Sequence, residues 1–328
     1  MIPKKLKKGS HVRVISPSKS LKIIAQENRW IANNTLSKLG LSVSFSKNAE
    51  EETDFGSSSI ESRIIDLHEA FKDKKVNGVL TAIGGFNANQ LLPYIDYKLI
   101  KKNPKFFCGY SDITALNNAI YAKTGLVNYS GPQYGTFGMK HGNAYTIDYF
   151  KKCVFEKDSF EIKPSIEWSD DPWYKDQENR TYIPNEGMEI IHEGCAKGTL
   201  VGGNLDTFAL LLGTKYLPSL KNSILFVEDD YLFGKHFDLM FDRHLTSILQ
   251  QEGANKIRGI LIGRPQKIIE FGKDKIQKII NSKRELNNIP VISGVDIGHT
   301  TPMITLPIGG TASMSALKNQ VKIEILKH

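Results

Sequence analysis

Short apolar runs alternate with amphipathic stretches along the first half of the chain. The runs are rich in Val, Ile, Leu and Phe and end at Gly, Pro or Ser, a pattern typical of buried strands. They occupy residues 11–16, 41–45, 77–83 and 105–108. Helical spacing follows several of them, most clearly over residues 59–71 and 113–123. This alternation predicts an α/β fold with a doubly wound parallel sheet.

The pattern changes twice in the second half. Residues 156–195 are polar, rich in Asp, Glu and Pro, and carry Trp168 and Trp173, so we expect a linker or inserted loop there. β-rich runs return at residues 224–227, 257–262, 291–293 and 321–326. The chain is therefore predicted to have an N-terminal domain over residues 1–155 and a C-terminal domain over residues 196–328.

Composition is compatible with two globular domains and argues against a nucleic acid partner. Of the 328 residues, 40% are apolar and 27 are glycine, which allows a substantial core. The net charge of +8 raises the question of nucleic acid, but the lysines are dispersed among acidic residues. No helix-turn-helix, RNP or zinc-finger pattern accompanies them, so we expect no nucleic acid polymer as a partner.

The cysteines and the lack of long apolar runs indicate the compartment. Cys108, Cys153 and Cys195 have no CxxC spacing and cannot all pair, so we interpret them as buried thiols in a reducing environment. The basic N-terminus lacks the apolar stretch of a signal peptide, and no apolar run approaches the roughly 20 residues needed to cross a bilayer. We expect a cytoplasmic protein with no membrane partner.

A serine lies between a predicted strand and a predicted helix. In this position Ser111 can project its hydroxyl above the sheet, beside the N–H groups of the helix N-terminus, as in a nucleophile elbow. Gly109 permits the tight turn, although Ile113 stands where a second glycine is usual. From the local sequence alone, a simple helix cap by Ser111 or Asp112 is the more common explanation.

Paired glycines follow the third predicted strand. Gly84 and Gly85, with Phe86 and Asn87 after them, allow the backbone to approach a substrate and to aim N–H groups at a developing oxyanion. An ordinary tight turn is the alternative. A phosphate loop is not indicated, because neither GxGxxG nor GxxxxGK[ST] is present.

An acidic residue and a histidine follow two later strands. Glu228 ends an apolar run, where a carboxylate can orient a histidine, bind a metal or simply solubilise a loop. No histidine pair has ligand spacing, so we predict no metal. His299 lies in a loop bounded by Gly298 and Pro302, although a loop histidine by itself is usually a surface residue. The order Ser, Glu, His is that of α/β-hydrolases.

Together these motifs resemble the serine LD-carboxypeptidase family, in the family's order over nearly the whole chain. The matching segments are its nucleophile motif at 105–125, glycine loop at 83–93, next signature at 202–214, acidic strand end at 224–229 and histidine loop at 298–299. The resemblance implies a flavodoxin-like, parallel-sheet N-terminal domain and a smaller, β-rich α/β C-terminal domain. The active site would lie at the domain interface.

The resemblance also assigns roles. It implies that Ser111 is the nucleophile, His299 the general base and Glu228 the orienting carboxylate. The oxyanion hole would come from the backbone N–H groups of Gly85 and Asp112. Further substrate contacts are expected from Gly84, Phe86 and Asn204. The family uses no metal or organic cofactor, and its tendency to dimerise predicts a homodimer.

Two branches of the family differ in substrate. One removes the terminal D-alanine of murein tetrapeptides during cell-wall recycling, and the other resembles microcin C self-immunity enzymes, which cleave peptidyl- or aminoacyl-nucleotide amides. Residues 167–173 and 184–187 resemble the longer loop of the immunity branch, where an aromatic ring stacks on the nucleobase. Trp168 or Trp173 is the counterpart, unless both merely cover the domain joint. We favour the immunity-like branch, with murein recycling as the alternative. A non-catalytic, two-lobed ligand-binding protein is the alternative of another class.

Overall fold

The computed structural model describes residues 1–269 and 271–328, which form two main sheets with helices packed around them. The strands are β1 (His11–Ile15), β2 (Ser42–Phe45), β3 (Gly78–Thr81), β4 (Phe106–Cys108), β5 (Asn128–Ser130), β6 (Phe160–Ile162), β7 (Glu167–Trp168), β8 (Ile183–Pro184), β9 (Glu189–His192), β10 (Gly194–Asn204), β11 (Ser223–Glu228), β12 (Gly259–Gly263), β13 (Val291–Val295), β14 (Leu306–Ile308), β15 (Thr311–Leu317) and β16 (Gln320–Lys327). The helices are α1 (Gln26–Lys38), α2 (Ile60–Lys72), α3 (Tyr97–Lys102), α4 (Thr114–Thr124), α5 (Ala144–Phe155), α6 (Leu205–Ala209), α7 (Phe237–Leu249) and α8 (Lys273–Asn281).

The first sheet belongs to the N-terminal domain. Its strands β1 to β5 are parallel and lie in the order β5-β4-β3-β1-β2, which is the 2-1-3-4-5 order of flavodoxin-like folds. Strand β14 adds to β5 in the antiparallel direction. The central strands β3 and β4 are buried along their whole length, as expected for a sheet covered by helices on both faces. The predicted doubly wound sheet is confirmed.

The second sheet has a parallel centre and antiparallel flanks. Strands β10, β11, β12 and β13 are parallel neighbours. Strands β15, β16 and β6 extend the sheet beyond β10, and β9 extends it beyond β13. The carboxyl ends of the four parallel strands therefore lie along one edge, which is where α/β folds place their ligands.

Helix α4, which begins shortly after Ser111, contacts the second sheet and so holds the two domains together. The buried side chain of Asn118 exchanges two hydrogen bonds with the backbone of Gly202 on β10: its Nδ2 donates to the carbonyl at 2.8 Å, and its Oδ1 accepts from the N–H at 3.2 Å. One turn earlier, Thr114 Oγ1 accepts from the N–H of Asn204 at 3.0 Å. Apolar side chains of α4, α6 and β11 belong to one continuous core. Helix α4 is thereby attached to β10, the strand next to β11.

The segment 156–195 differs most from its prediction. Rather than a structureless linker, it contributes β6, which pairs with β16, and β9, which pairs with β13, so it supplies both edges of the second sheet. The short pair β7–β8 lies between them. These strands have two to four residues each, too few for alternation to be recognised. The long strand β10, which begins inside the segment, was missed because its glycines at 194, 198, 202 and 203 resemble a loop.

The expectation that all three cysteines are buried is wrong for one of them. All three cysteines of the described chain are free, but only Cys108 and Cys153 are buried, whereas Cys195 is exposed. Cys195 lies near the start of β10, where half-buried and exposed positions alternate. Within residues 1–269 and 271–328, no helix combines the length and the apolarity that a bilayer crossing requires.

The joint between the domains predicts a stability effect. Asn118→Ala should leave the buried N–H and C=O of Gly202 without partners, which lowers the free energy of unfolding by about 2–4 kcal/mol, measured by urea denaturation. Asn103→Ala is the matched control, because among the contacts of residues 1–269 and 271–328 that amide bonds only to Leu99 O, a carbonyl of the preceding helix. An equal, small loss in both variants would contradict the importance of this joint.

Candidate active site

Ser111 occupies a strained turn between β4 and α4. Its φ is +61°, in the left-handed region that residues other than glycine and asparagine seldom adopt. Such a turn points a serine hydroxyl away from the sheet, as in a nucleophile elbow. Gly109 makes the turn possible, because a Cβ there would lie 2.2 Å from Thr81 Oγ1. The same strain would not be needed for a simple helix cap.

The structure brings Ser111, His299 and Glu228 together, although up to 188 positions separate them along the chain. His299 Nε2 lies 3.1 Å from Ser111 Oγ, and His299 Nδ1 lies 2.7 Å from Glu228 Oε2. When the ring is neutral and its Nδ1–H donates to Glu228, Nε2 is left to accept the serine hydroxyl. Each residue follows or ends a parallel strand: β4, β13 and β11 respectively.

A glycine lets the carboxylate reach the imidazole. Gly298 has a φ of +92°, and a Cβ there would lie 2.1 Å from Glu228 Oε2. Any side chain at this position would therefore both strain the backbone and displace the carboxylate. Glu228 itself is only 5% exposed, so its charge acts on the ring through a poorly hydrated environment.

Several carboxylates hold a proton on His299. Burial by itself lowers the pKa of the ring, but Glu228, followed by Asp230 and Asp229, outweighs it and raises the pKa of His299 to about 9. Asp230 Oδ2 lies 3.6 Å from Nε2, on the side that faces Ser111. Asp230 was not among the residues predicted from the sequence, although its position directly after Glu228 and Asp229 was a usable signal.

Asn204 lies beside Glu228, its partner across the parallel pair β10–β11, but its side chain is already engaged by the protein. Its Oδ1 accepts from Thr207 N at 3.0 Å, which caps α6, and its Nδ2 donates to Asp229 Oδ1 at 3.0 Å. Asp229 is 6% exposed, and burial, followed by Glu228, raises the pKa of its carboxyl well above the usual range. One Nδ2 hydrogen of Asn204 remains for a substrate.

The glycine loop, residues 84–87, lies against Ser111. A Cβ at Gly84 would be 2.9 Å from Ser111 Cβ and 3.5 Å from Asp112 N, so the loop and the turn are in contact. Within the described part of the chain, the N–H groups of Gly85 and Asp112 do not donate to a protein acceptor. Both are therefore available for a substrate oxygen next to Ser111.

The side chain of Asp112 joins the nucleophile turn to the glycine loop. Its buried Oδ2 accepts from Ser18 Oγ at 2.5 Å and from Ala88 N at 2.9 Å. Beneath the loop, the buried Arg63 donates from Nη1 to Asn87 Oδ1 at 3.0 Å. These bonds hold the two groups of candidate oxyanion donors together. The sequence did not indicate Ser18 or Arg63, because the partners are remote along the chain.

Three aromatic side chains named from the sequence differ in their surroundings. Phe86 is 63% exposed, with Lys19 Nζ 5.2 Å above its ring. Trp168 is half-buried and has the Arg264 guanidinium 5.1 Å above its ring. Trp173 is also half-buried, and its aromatic neighbour is Tyr174, at 6.1 Å in an edge-on arrangement.

Comparison with family models matches both halves of the chain. Residues 12–131 match the LD-carboxypeptidase N-terminal domain, and residues 197–314 match the LD-carboxypeptidase C-terminal domain. The chain belongs to the LD-carboxypeptidase family. This family consists of serine peptidases. The alternative of a non-catalytic, two-lobed binding protein is therefore excluded.

Individual LD-carboxypeptidase relatives extend over most or all of the chain. YocD of Bacillus subtilis (strain 168), named as a carboxypeptidase, is 50% identical over 100% of both chains. The microcin C7 self-immunity protein MccF of Escherichia coli is 32% identical over 79% of this chain and 77% of that protein. Another B. subtilis relative, named as a murein peptide carboxypeptidase, is 30% identical over 98% of this chain and 94% of its own.

Solved structures agree with this fold. The MccF-like protein from Bacillus anthracis str. Ames is 54% identical over 100% of both chains, with a TM-score of 0.99. MccF in complex with aspartyl sulfamoyl adenosine is 26% identical over 100% of this chain and 99% of that one, with a TM-score of 0.86. The expected LD-carboxypeptidase fold, with two α/β domains, is confirmed.

The carboxylates around His299 predict an alkaline titration. Followed by NMR, the imidazole of the ligand-free protein should titrate with a midpoint near pH 9. Glu228→Gln should lower that midpoint, because it removes the strongest charge that raises the pKa, and Asp230→Asn should lower it less. Glu252→Gln, a surface control, should leave it unchanged. A wild-type midpoint near 6.5 would show that the carboxylates do not raise the pKa of His299.

Proposed function

We propose that this enzyme is a serine carboxypeptidase-type amide hydrolase in which Ser111 is the nucleophile, His299 the general base and Glu228 the orienting carboxylate. The observation that carries the proposal is the 3.1 Å contact of His299 Nε2 with Ser111 Oγ, combined with the 2.7 Å contact of Nδ1 with Glu228. Nucleophile, base and orienting group are thus in the mutual geometry that serine hydrolases require.

The geometry supports a two-step reaction. Ser111 Oγ attacks the substrate carbonyl carbon while His299 Nε2 accepts the hydroxyl proton, and the carbonyl oxygen develops a negative charge facing the N–H groups of Gly85 and Asp112. Collapse of the intermediate breaks the amide bond, and the imidazolium returns its proton to the leaving amine. Water, deprotonated by His299, then hydrolyses the acyl-enzyme and releases Ser111.

The carboxylate cluster favours the charged imidazolium that forms during attack, and it also holds the proton before attack. Because a base must start neutral, kcat/KM should rise as pH increases through the pKa of His299, near 9. The proposal therefore places optimal activity on the alkaline side of neutrality.

For the substrate we favour an aminoacyl- or peptidyl-nucleotide amide of the microcin C type. The support is the identity of 54% to an MccF-like protein and of 32% to MccF, together with the aspartyl sulfamoyl adenosine that MccF binds. The tryptophan-bearing segment lies next to the histidine loop, because Ser169 and Thr301 exchange backbone hydrogen bonds of 2.7 and 2.8 Å. It is thus close enough to contact a leaving group.

Of the two tryptophans, Trp173 is our candidate for stacking on a base. Trp168 already has one ring face under the Arg264 guanidinium and lies within 5.8 Å of Lys267 Nζ, so stacking there would require these groups to move. Trp173 has no comparable cation above its ring among the described contacts.

Removal of D-alanine from murein tetrapeptides is the second candidate, favoured by the relative of 30% identity named for murein peptides. A side-by-side hydrolysis assay with an aminoacyl sulfamoyl adenosine and a murein tetrapeptide distinguishes the two. A higher kcat/KM on the adenosine compound supports the immunity-like reaction, and a higher value on the tetrapeptide replaces it with murein recycling. Hydrolysis of neither, or activity that persists in Ser111→Ala, would refute the proposed mechanism.

The triad predicts non-additive losses. Ser111→Ala and His299→Ala should each lower kcat by on the order of 10⁴-fold or more, and the double variant little further, since the pair acts as a unit. Glu228→Gln should cost less than either. Ser313→Ala, on the distant strand β15, is the matched control and should behave as wild type. Independent, multiplicative losses at Ser111 and His299 would argue against a shared step.

The stacking candidate predicts a substrate-specific loss. Trp173→Ala should lower kcat/KM on an aminoacyl sulfamoyl adenosine by roughly ten- to a hundred-fold, while hydrolysis of base-free amides hardly changes. Trp168→Ala is the comparison variant: it should lower thermal stability and reduce activity on all substrates alike. Equal losses on base-containing and base-free substrates in Trp173→Ala would remove the reason for preferring nucleotide substrates.

We also propose that the enzyme acts as a cytoplasmic homodimer, as the resemblance to the family suggested. Sedimentation equilibrium would test the dimer, with a mass of about twice 36.8 kDa expected. A single species at the monomer mass would contradict it.

A further inference from the structure

A buried ion pair lies beneath the loop that carries His299. Asp296, three residues before the histidine, is fully buried. Its Oδ1 accepts from Arg264 Nη1 at 2.5 Å and from Ser165 Oγ at 2.9 Å, and its Oδ2 accepts from Ser165 N at 2.8 Å. The carboxylate thereby connects the histidine loop to β12, where Arg264 follows the last residue, and to the segment around residue 165.

Arg264, the partner of Asp296 in the ion pair, also bonds to the segment 165–185 and to β13. Its Nη2 donates to Asn185 Oδ1 at 2.8 Å and to Gly294 O at 3.2 Å. Asn185 in turn donates from Nδ2 to Ser165 Oγ at 3.0 Å, which closes the network. The guanidinium also lies above the ring of Trp168. One end of the segment 165–185, Asn185, is therefore bonded to Arg264, and the other end, Ser165, is bonded to the ion-pair partner Asp296.

A second attachment lies on the far side of His299. Ser169 N donates to Thr301 O at 2.7 Å, and Thr301 N donates to Ser169 O at 2.8 Å. The segment 165–185 thus bonds to the histidine loop at Asp296 and at Thr301, with His299 between them. Inside the loop, the backbone bond from Ile304 N to Asp296 O, 2.7 Å, closes its base.

This arrangement matters because the ring of His299 must stay within hydrogen-bond distance of two partners on different domains. A displacement of about 1 Å in such a contact can cost on the order of 10²-fold in rate. Removal of one member of a buried ion pair leaves the other uncompensated, so the loop would relax rather than keep its position.

We propose that Arg264 and Asp296 are positioning residues, which hold His299 in register with Glu228 and Ser111 by attaching its loop to the segment 165–185. This inference rests on the proposed triad. The segment that we propose to contact the leaving group is then also a support of the general base, so its loss lowers turnover on every substrate.

The pKa of His299 depends on the distance between its ring and the neighbouring carboxylates, so it can be used to detect a displacement of the ring. The titratable groups that face the ring are Glu228, Asp230 and Asp229 at the end of β11, and Tyr110 from the nucleophile turn, whose ring lies 5.3 Å away. If the loop relaxes, the ring moves away from the carboxylates and its pKa falls. Simple loss of the Arg264 cation has the opposite sign, because it removes a positive charge and raises the pKa.

The test measures the NMR titration of His299 and, separately, kcat and KM in Arg264→Met and Asn185→Ala. We expect the midpoint to fall in both variants, kcat to fall by on the order of ten- to a hundred-fold, and KM to change by less than about threefold. Arg264→Lys should not restore kcat, since a lysine lacks the fork that bonds Asp296 and Asn185 together.

Arg29→Met is the matched control, a buried arginine of the first domain that pairs with Glu50 and with the carbonyls of Leu21 and Ile24. It should lower thermal stability without moving the His299 midpoint. An unchanged or raised midpoint in folded Arg264→Met, with wild-type kcat, would overturn the inference. If that variant does not fold, the uncharged substitution Asn185→Ala decides in the same way.

The titration also separates this inference from the proposed function. If the wild-type protein hydrolyses neither substrate but the midpoint still falls in the variants, the positioning role stands and the proposed reaction fails. If the wild type is active and the variants titrate and turn over normally, only the positioning role fails.

Discussion

Asn118 on α4 and Gly202 on β10 exchange two hydrogen bonds in the buried joint between the domains. The geometry of the site depends on this contact, because α4 begins just after Ser111, and β10 is the parallel neighbour of the strand that ends at Glu228. Buried amide and peptide groups leave little freedom in such a joint, since any slip would leave polar groups without partners. The register of α4 on β10 therefore determines the distance between Ser111 and Glu228.

Electrostatics around the histidine combine two opposing requirements. Carboxylates that stabilise an imidazolium help the step in which one forms, yet they also keep the ring protonated beforehand. Glu228 bonds directly to the ring and Asp230 approaches it from the serine side, while Asp229 is held in a buried, high-pKa state beside Asn204.

The segment 165–185 is attached to the loop that carries His299, the candidate general base. It carries both tryptophans, yet its polar side chains and backbone bond to the histidine loop on either side of His299. Under the proposed function this segment both contacts the substrate and supports the general base, so it has little freedom to change independently of His299.

The sequence by itself determined the parallel N-terminal sheet, because short apolar runs ending at glycine, proline or serine alternate there with stretches of helical spacing. It also indicated Ser111, Glu228 and His299 as candidates through their positions at strand ends. It could not show that the three meet, since the order of residues does not determine the distance between two domains. It also missed β10, whose glycines obscure the strand, and the edge strands β6 and β9, which are too short for a pattern and form only because the second sheet offers them partners. Only the tertiary structure shows the roles of Asp230, Arg264 and Asp296. The charge of Asp230 acts on a ring that is distant along the chain. The buried pair of Arg264 and Asp296 can bond to the segment 165–185 only after the second sheet has brought the loops together.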